Sequence, residues 1–244
     1  MSDIPLPPSC EEYYRRLQAE CAGVMAASFE ADVNRLQAIS HNFVAELNEW
    51  LKVLASRPEG ELFKAALREY QYSLLAVVQG QYRQAFMALR LLFELLLAAV
   101  HFSANELNLR MWFLGRKDIV WSAITSTETG VMSKPFVSAF FEDLANSAPA
   151  YLAMAEKVYR ECSEYVHGNA QTHEDLPEGI EFSLATFEKW HEKARSIRVI
   201  SSFALCARYV QFMTDSERNS LEELLLGNLG HIAAVRQIFG APVE

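Results

Sequence analysis

The sequence GQYRQAFMALRLLFELLLAAVHF occupies residues 80–102 and decides the fold class. Apolar side chains would lie on most sides of a helix formed by it, which is typical of a helix at the centre of a bundle. Its most apolar part, residues 91–102, contains Glu94 and follows Arg90. It is therefore too short and too charged to span a bilayer, and we predict a buried core helix.

The rest of the chain also predicts helices. Gly and Pro occur only 10 and 8 times in 244 residues, so the sequence offers few turns, and no strand-like alternation competes. Ser9 is a suitable N-cap for the first helix. We predict one all-α domain over residues 1–244, with helices at 9–57 (with a break possible at Gly23), 61–79, 81–102, 135–146, 148–167, 181–213 and 216–239.

Composition narrows the functional classes. The chain is 51% apolar and 22% charged, with a net charge of −9, whereas a basic patch is the usual mark of a nucleic-acid-binding surface. The cysteines at positions 10, 21, 162 and 206 form no CxxC pair, so neither a zinc site nor a disulfide framework is predicted. The amino terminus lacks the pattern of a signal peptide, so we expect a cytoplasmic protein without a membrane partner.

Most enzyme motifs are missing from the sequence. It contains no Gly-rich phosphate loop, no HExxH, no GxSxG and no EF-hand loop. His167, His173 and Glu174 could be imagined as metal ligands, but they straddle a predicted helix end and no second ligand cluster accompanies them. We therefore expect neither a metal nor another cofactor.

One segment, YRECSEYVHGN at residues 159–169, could carry chemistry. Arg160 and His167 are separated by about 700° of helical rotation, close to two turns, so they share one face about 10 Å apart along the axis. A bound phosphate could bridge them. Gly168 and Asn169 are a suitable C-cap, and the negative end of the helix dipole favours a protonated His167 there.

A structural role is the alternative for this pair. A histidine that precedes a capping glycine often only bonds the last carbonyl groups of its helix, and an arginine two turns earlier often only pairs with a surface glutamate. On their spacing alone, a structural role is the more common one for residues placed like Arg160 and His167.

The motif resembles the signature of the HEPN superfamily, in which an arginine is followed by a histidine near the end of a helix in an all-α domain. Here six residues separate Arg160 from His167. Residues 80–94, GQYRQAFMALRLLFE, are also similar to the Gly-x-Tyr, Ala, Leu-Arg, Glu pattern on the central helix of bacterial HEPN-like families. The two segments bracket about 90 residues. The resemblance implies a HEPN-like bundle with its core at about 61–179 and additional long helices at both ends, 9–57 and 181–240.

The resemblance also implies an activity. HEPN ribonucleases cleave RNA without a metal, usually as dimers, and several serve in bacterial defence or toxin systems. His167 would transfer protons while the RNA 2′-OH attacks phosphorus, and Arg160 would stabilise the charged phosphorane. The residues expected to support this pair, with Glu94 bracing Arg160 or His167, are Arg90, Glu94, Glu161, Ser163, Tyr165 and Asn169.

Glu161 departs from the family pattern, since active members commonly have a small polar residue directly after the arginine. Two further hypotheses therefore stand beside the nuclease. One is a non-catalytic HEPN-like module that binds a nucleotide or a protein partner such as an antitoxin, and the other is an unrelated helical scaffold. The resemblance favours a homodimer with the motif helix at or beside the interface.

Overall fold

The computed structural model describes residues 9–30 and 33–241, and the backbone alone of residue 171. All regular structure in these ranges is helical, as the sequence predicts. The first eight residues, in which no signal peptide pattern was found, lie outside them. The helices are α1 (Cys10–Ser28), α2 (Asn34–Val53), α3 (Gly60–Val78), α4 (Tyr82–Ser103), α5 (Glu106–Phe113), α6 (Trp121–Ile124), α7 (Lys134–Phe140), α8 (Ala148–His167), α9 (Ala170–Asp175), α10 (Leu184–Tyr209), α11 (Asp215–Leu229) and α12 (Ala233–Ile238).

Helix α4 is the central element, and α3, α8 and α10 pack around it. Most of its length between Leu92 and Phe102 is fully buried, because apolar residues occupy nearly every position. Its length and composition alone would let it pass for a membrane span, and 67% of that stretch is buried inside the fold.

The polar groups that enter the core are held by specific hydrogen bonds. Ser73 of α3 donates to the carbonyl of Ala85 at 2.6 Å and accepts from the indole of Trp190 at 3.1 Å. Tyr70 donates to the carbonyl of Ser40 at 2.6 Å and stacks on Trp190. Because buried polar groups without partners are costly, these contacts fix the relative positions of α2, α3, α4 and α10.

The amino-terminal region differs from the single long helix expected over residues 9–57. Ser9 caps α1 as predicted, and a reciprocal bond with Glu12 completes a capping box. The helix then ends at Ser28, and α2 begins at Asn34. Gly23 lies inside α1, where a Cβ added to it would have no neighbouring atom within 4 Å. The break thus falls where the chain has neither Gly nor Pro.

Candidate functional site

Helix α8 carries the predicted arginine–histidine pair and lies against α4 and α10. Pro149 occupies its first turn, where the missing N–H has no intrahelical partner to lose. The helix ends at Gly168, whose φ of 65° lies in the left-handed region that suits glycine. This ending leaves His167 as the last helical residue.

Arg160 and His167 are both exposed on α8. Within the described part of the chain, neither side chain forms a hydrogen bond or an ion pair. The two groups are therefore available to a ligand.

The carboxyl end of α8 is fixed by Arg83, in the first turn of α4. Its Nη1 donates to the carbonyl oxygen of Tyr165 at 2.6 Å, which satisfies a group that the helix itself leaves without a partner. A side chain at Gly168 would begin 3.7 Å from this Nη1 and 3.9 Å from Nε2 of His173. Arg83 and His173 therefore adjoin the same helix end as His167.

Arg90 and Glu94 face α8 as expected, but their contact there is Tyr159, the residue before Arg160. Arg90 Nη2 donates to Glu94 at 3.0 Å and also to the hydroxyl of Tyr159, which donates to Glu94 at 2.8 Å. The ring of Trp121 stacks on Tyr159 with centroids 3.7 Å apart. Burial raises the pKa of Tyr159, so its hydroxyl stays protonated and can donate. Arg90 and Glu94 therefore hold Tyr159, the residue next to Arg160, and they form no hydrogen bond with the Arg160 guanidinium itself.

Glu161 turns towards α10 and forms an ion pair with Lys193 at 2.8 Å. The Lys193 side chain is only 9% exposed, and it also contacts Glu192 at 3.1 Å. The charge of Glu161, which departs from the family pattern, is thus partly neutralised by a lysine from another helix.

The other expected supporting residues stabilise α8 itself. Ser163 donates to the carbonyl of Tyr159 at 2.7 Å, one turn earlier. The ring of Tyr165 is buried and stacks on Phe86 of α4 with centroids 3.9 Å apart. Asn169 differs, since it is the residue before α9, and its carbonyl accepts from the backbone N–H of Thr172 at 2.9 Å.

Three further residues next to this helix end were not assigned a role there from the sequence. They are Arg83, His173 and Lys189, whose Nζ lies 5.8 Å from the centroid of the Tyr165 ring and 2.6 Å from Asp175. Arg83 belongs to the quoted motif on α4 and lies two helical turns before Arg90. The two arginines therefore share one helix face, and this spacing could have indicated that Arg83 also contacts α8. Lys189 lies 20 residues beyond the motif, so only the fold brings it near.

Among the described residues, no group of three or more His, Cys, Asp or Glu side chains could hold a metal ion. No family model, curated protein or solved structure matches the chain. The likeness to the HEPN superfamily therefore depends on the residues of α4 and α8 alone. Chemically, the end of α8 offers a guanidinium and an imidazole in solvent, beside further basic groups.

Proposed function

We propose that the chain is a metal-independent endoribonuclease of the HEPN type, with Arg160 and His167 as its catalytic residues. The observation that supports this most is that both side chains are exposed and without a charged partner in the described chain. A structural brace would instead bury and pair these groups, because an exposed pair contributes little to stability.

In the proposed reaction, the RNA 2′-oxygen forms a bond to the adjacent phosphorus and the bond from phosphorus to the 5′-oxygen breaks. His167 takes the proton of the 2′-OH, and a proton is returned to the departing 5′-oxygen by the same imidazolium or by His167 of the facing copy. Arg160 pairs with the non-bridging oxygens, on which negative charge builds up. The products are a 2′,3′-cyclic phosphate and a 5′-hydroxyl, and no other reactant is needed.

The surroundings of α8 suit this role. Tyr159, held by Arg90 and Glu94, fixes the backbone next to Arg160, and Arg83 fixes the backbone two residues before His167. Such rigid support matters because catalytic groups act only when they are held close to the productive geometry. Lys193 draws the Glu161 carboxylate towards α10, which lessens its repulsion of a phosphate.

A homodimer is part of the proposal. The pair lies on an open helix surface, and a second copy facing it would exclude water and bring a second arginine and histidine to the same phosphodiester. Static light scattering at tens of micromolar protein would detect this dimer, and a monomer at that concentration would contradict it.

The decisive experiment is cleavage of a mixed RNA pool in the presence of EDTA. Wild type should cut RNA and leave 2′,3′-cyclic phosphate ends, whereas His167→Ala and Arg160→Ala should each lose about 100- to 10,000-fold in rate. His41→Ala and Arg116→Ala are matched controls, since both residues are exposed and lie on other elements. These controls should cleave like wild type.

Two results would contradict the proposal: no cleavage by wild type, or equal cleavage by wild type and His167→Ala. In either case the non-catalytic module becomes the better hypothesis for the arginine–histidine helix. A clear loss of melting temperature in Arg160→Ala or His167→Ala would assign the pair to a structural role instead.

A further inference from the structure

A separate cleft lies between α2, α10 and α11, and it has a volume of about 1080 Å³. For comparison, the cleft beside α5 has about 470 Å³. Its walls mix aliphatic side chains, including Leu36, Ile39 and Val199, with charged ones. A cleft of this size and composition can take a small molecule that has both an apolar body and a polar group.

His191 lines this cleft and is only 4% exposed. Its Nδ1 lies 2.7 Å from the hydroxyl oxygen of Ser40, while its buried Nε2 makes no hydrogen bond within the described chain. When the Ser40 hydroxyl donates to Nδ1, Nε2 carries the proton and lacks an acceptor. In that tautomer Nε2 is an unsatisfied buried donor, which is costly, and a ligand oxygen that reached it would supply the missing acceptor.

The lining of the cleft has more basic than acidic side chains, although the whole chain has a net charge of −9. Its lining includes four basic side chains, Arg35, Lys189, Arg195 and Arg198, and two acidic ones, Glu188 and Glu192. Lys189 and Arg198 are paired with Asp175 and Glu46.

Arg35 and Arg195 have no ion-pair partner in the described residues, and both are exposed. Two exposed guanidinium groups at the rim favour an anionic ligand, because arginine binds carboxylate and phosphate oxygens with two hydrogen bonds.

One wall of the cleft is rigid. Arg198 Nε donates to Glu46 at 2.8 Å, and the Asn228 amide donates to Glu46 at 3.2 Å and to the hydroxyl of Ser202 at 3.0 Å. This network joins α2, α10 and α11 through satisfied groups, so the cleft is held open by bonds that a ligand need not break.

We propose that this cleft binds a small organic anion, whose phosphate or carboxylate group is held by Arg35 and Arg195 and accepts a hydrogen bond from His191 Nε2. The apolar body of the ligand packs on Leu36, Ile39 and Val199. This inference does not depend on the proposed nuclease activity, since none of these residues lies on α8.

Calorimetric titration with two anionic probes, AMP and hexanoate, and with their uncharged counterparts, adenosine and hexanol, tests the proposal. At least one anion should bind one to one with a dissociation constant below about 1 mM, and at least about tenfold more tightly than its uncharged counterpart. AMP binding without hexanoate binding would identify phosphate as the recognised group, and the reverse would identify carboxylate.

The variants Arg35→Glu and Arg195→Glu should each weaken this binding at least about tenfold, because each loses a charged hydrogen bond. Both residues are exposed, so the fold should survive, and Arg116→Glu is the control that should bind like wild type. Arg160→Ala should also bind normally, and Arg195→Glu should keep any RNA cleavage, which separates this proposal from the nuclease.

A ¹⁵N spectrum of the histidine rings provides the readout for His191. Binding of the probe should shift its Nε2 resonance, which is identified by its absence in His191→Gln. The proposal is overturned if neither anion binds, if the charge-reversed variants bind as well as wild type, or if the probe leaves the His191 resonance unchanged.

Discussion

Lowering the pH from 7 to 5 should destabilise this protein through His191. The ring is 4% exposed, and burial lowers its pKa from 6.5 to about 4. The folded state therefore keeps the imidazole neutral at a pH where the unfolded chain binds a proton. Stability from this group is fully present above the unfolded pKa of 6.5 and is lost as the pH falls towards 4.

The expected magnitude follows from these two pKa values. Each tenfold preference for the neutral form in the folded state corresponds to 1.36 kcal/mol, so the full effect is about 3 kcal/mol below pH 4. Integration between pH 7 and pH 5 gives a loss of about 2 kcal/mol in the free energy of unfolding.

Urea unfolding at both pH values, followed by far-ultraviolet circular dichroism, measures this loss. Other groups also titrate, so the quantity to compare is the difference between wild type and His191→Gln, whose amide can still bond Ser40. Wild type should lose about 2 kcal/mol more than this variant, while the exposed control His41→Gln should behave like wild type. Equal losses in wild type and His191→Gln would refute the argument that burial keeps this imidazole neutral.

Three further predictions concern α8. Lys193→Met should cost roughly 1–3 kcal/mol, because Glu161 is left without its partner, and addition of Glu161→Gln should recover part of that loss in denaturant unfolding. Gly168→Ala should cost about 1–2 kcal/mol in the same assay, since φ is 65° there, while the added Cβ would meet Arg83 and His173 only at ordinary contact distances. Tyr159→Phe should lower the melting temperature, because Arg90 and Glu94 lose the hydroxyl that both of them bond. The control Tyr72→Phe changes an exposed residue and should melt like wild type. Unchanged melting of Tyr159→Phe would show that the hydroxyl contributes nothing to stability.

The sequence was sufficient to predict the central helix and the end of α8. Residues 82–103 are apolar on most sides, which predicts a buried helix without tertiary information. Gly168 directly follows His167, which predicts a left-handed cap at the end of α8. The break between α1 and α2 was not, because Phe29 and Glu30 include no helix breaker. The contacts of α2 with α3 and α10, which the local sequence does not reveal, lie beyond this break.

The site shows the same division. That Arg160 and His167 belong to one helix follows from their spacing, as does the i,i+4 pair of Arg90 and Glu94. That this pair bonds Tyr159, or that Lys193 neutralises Glu161, depends on contacts between helices far apart in sequence. Such contacts are decided by helix packing, which a single sequence does not specify.

The bond from Arg83 to the end of α8 is made to the backbone carbonyl of residue 165 and not to its side chain. The position of the helix end is therefore insensitive to which amino acids occupy its exposed surface. Mutational drift could exchange the side chains at 160, 164 or 167 and leave the scaffold in register, so the chemistry at this helix end can change over evolution independently of the fold that supports it.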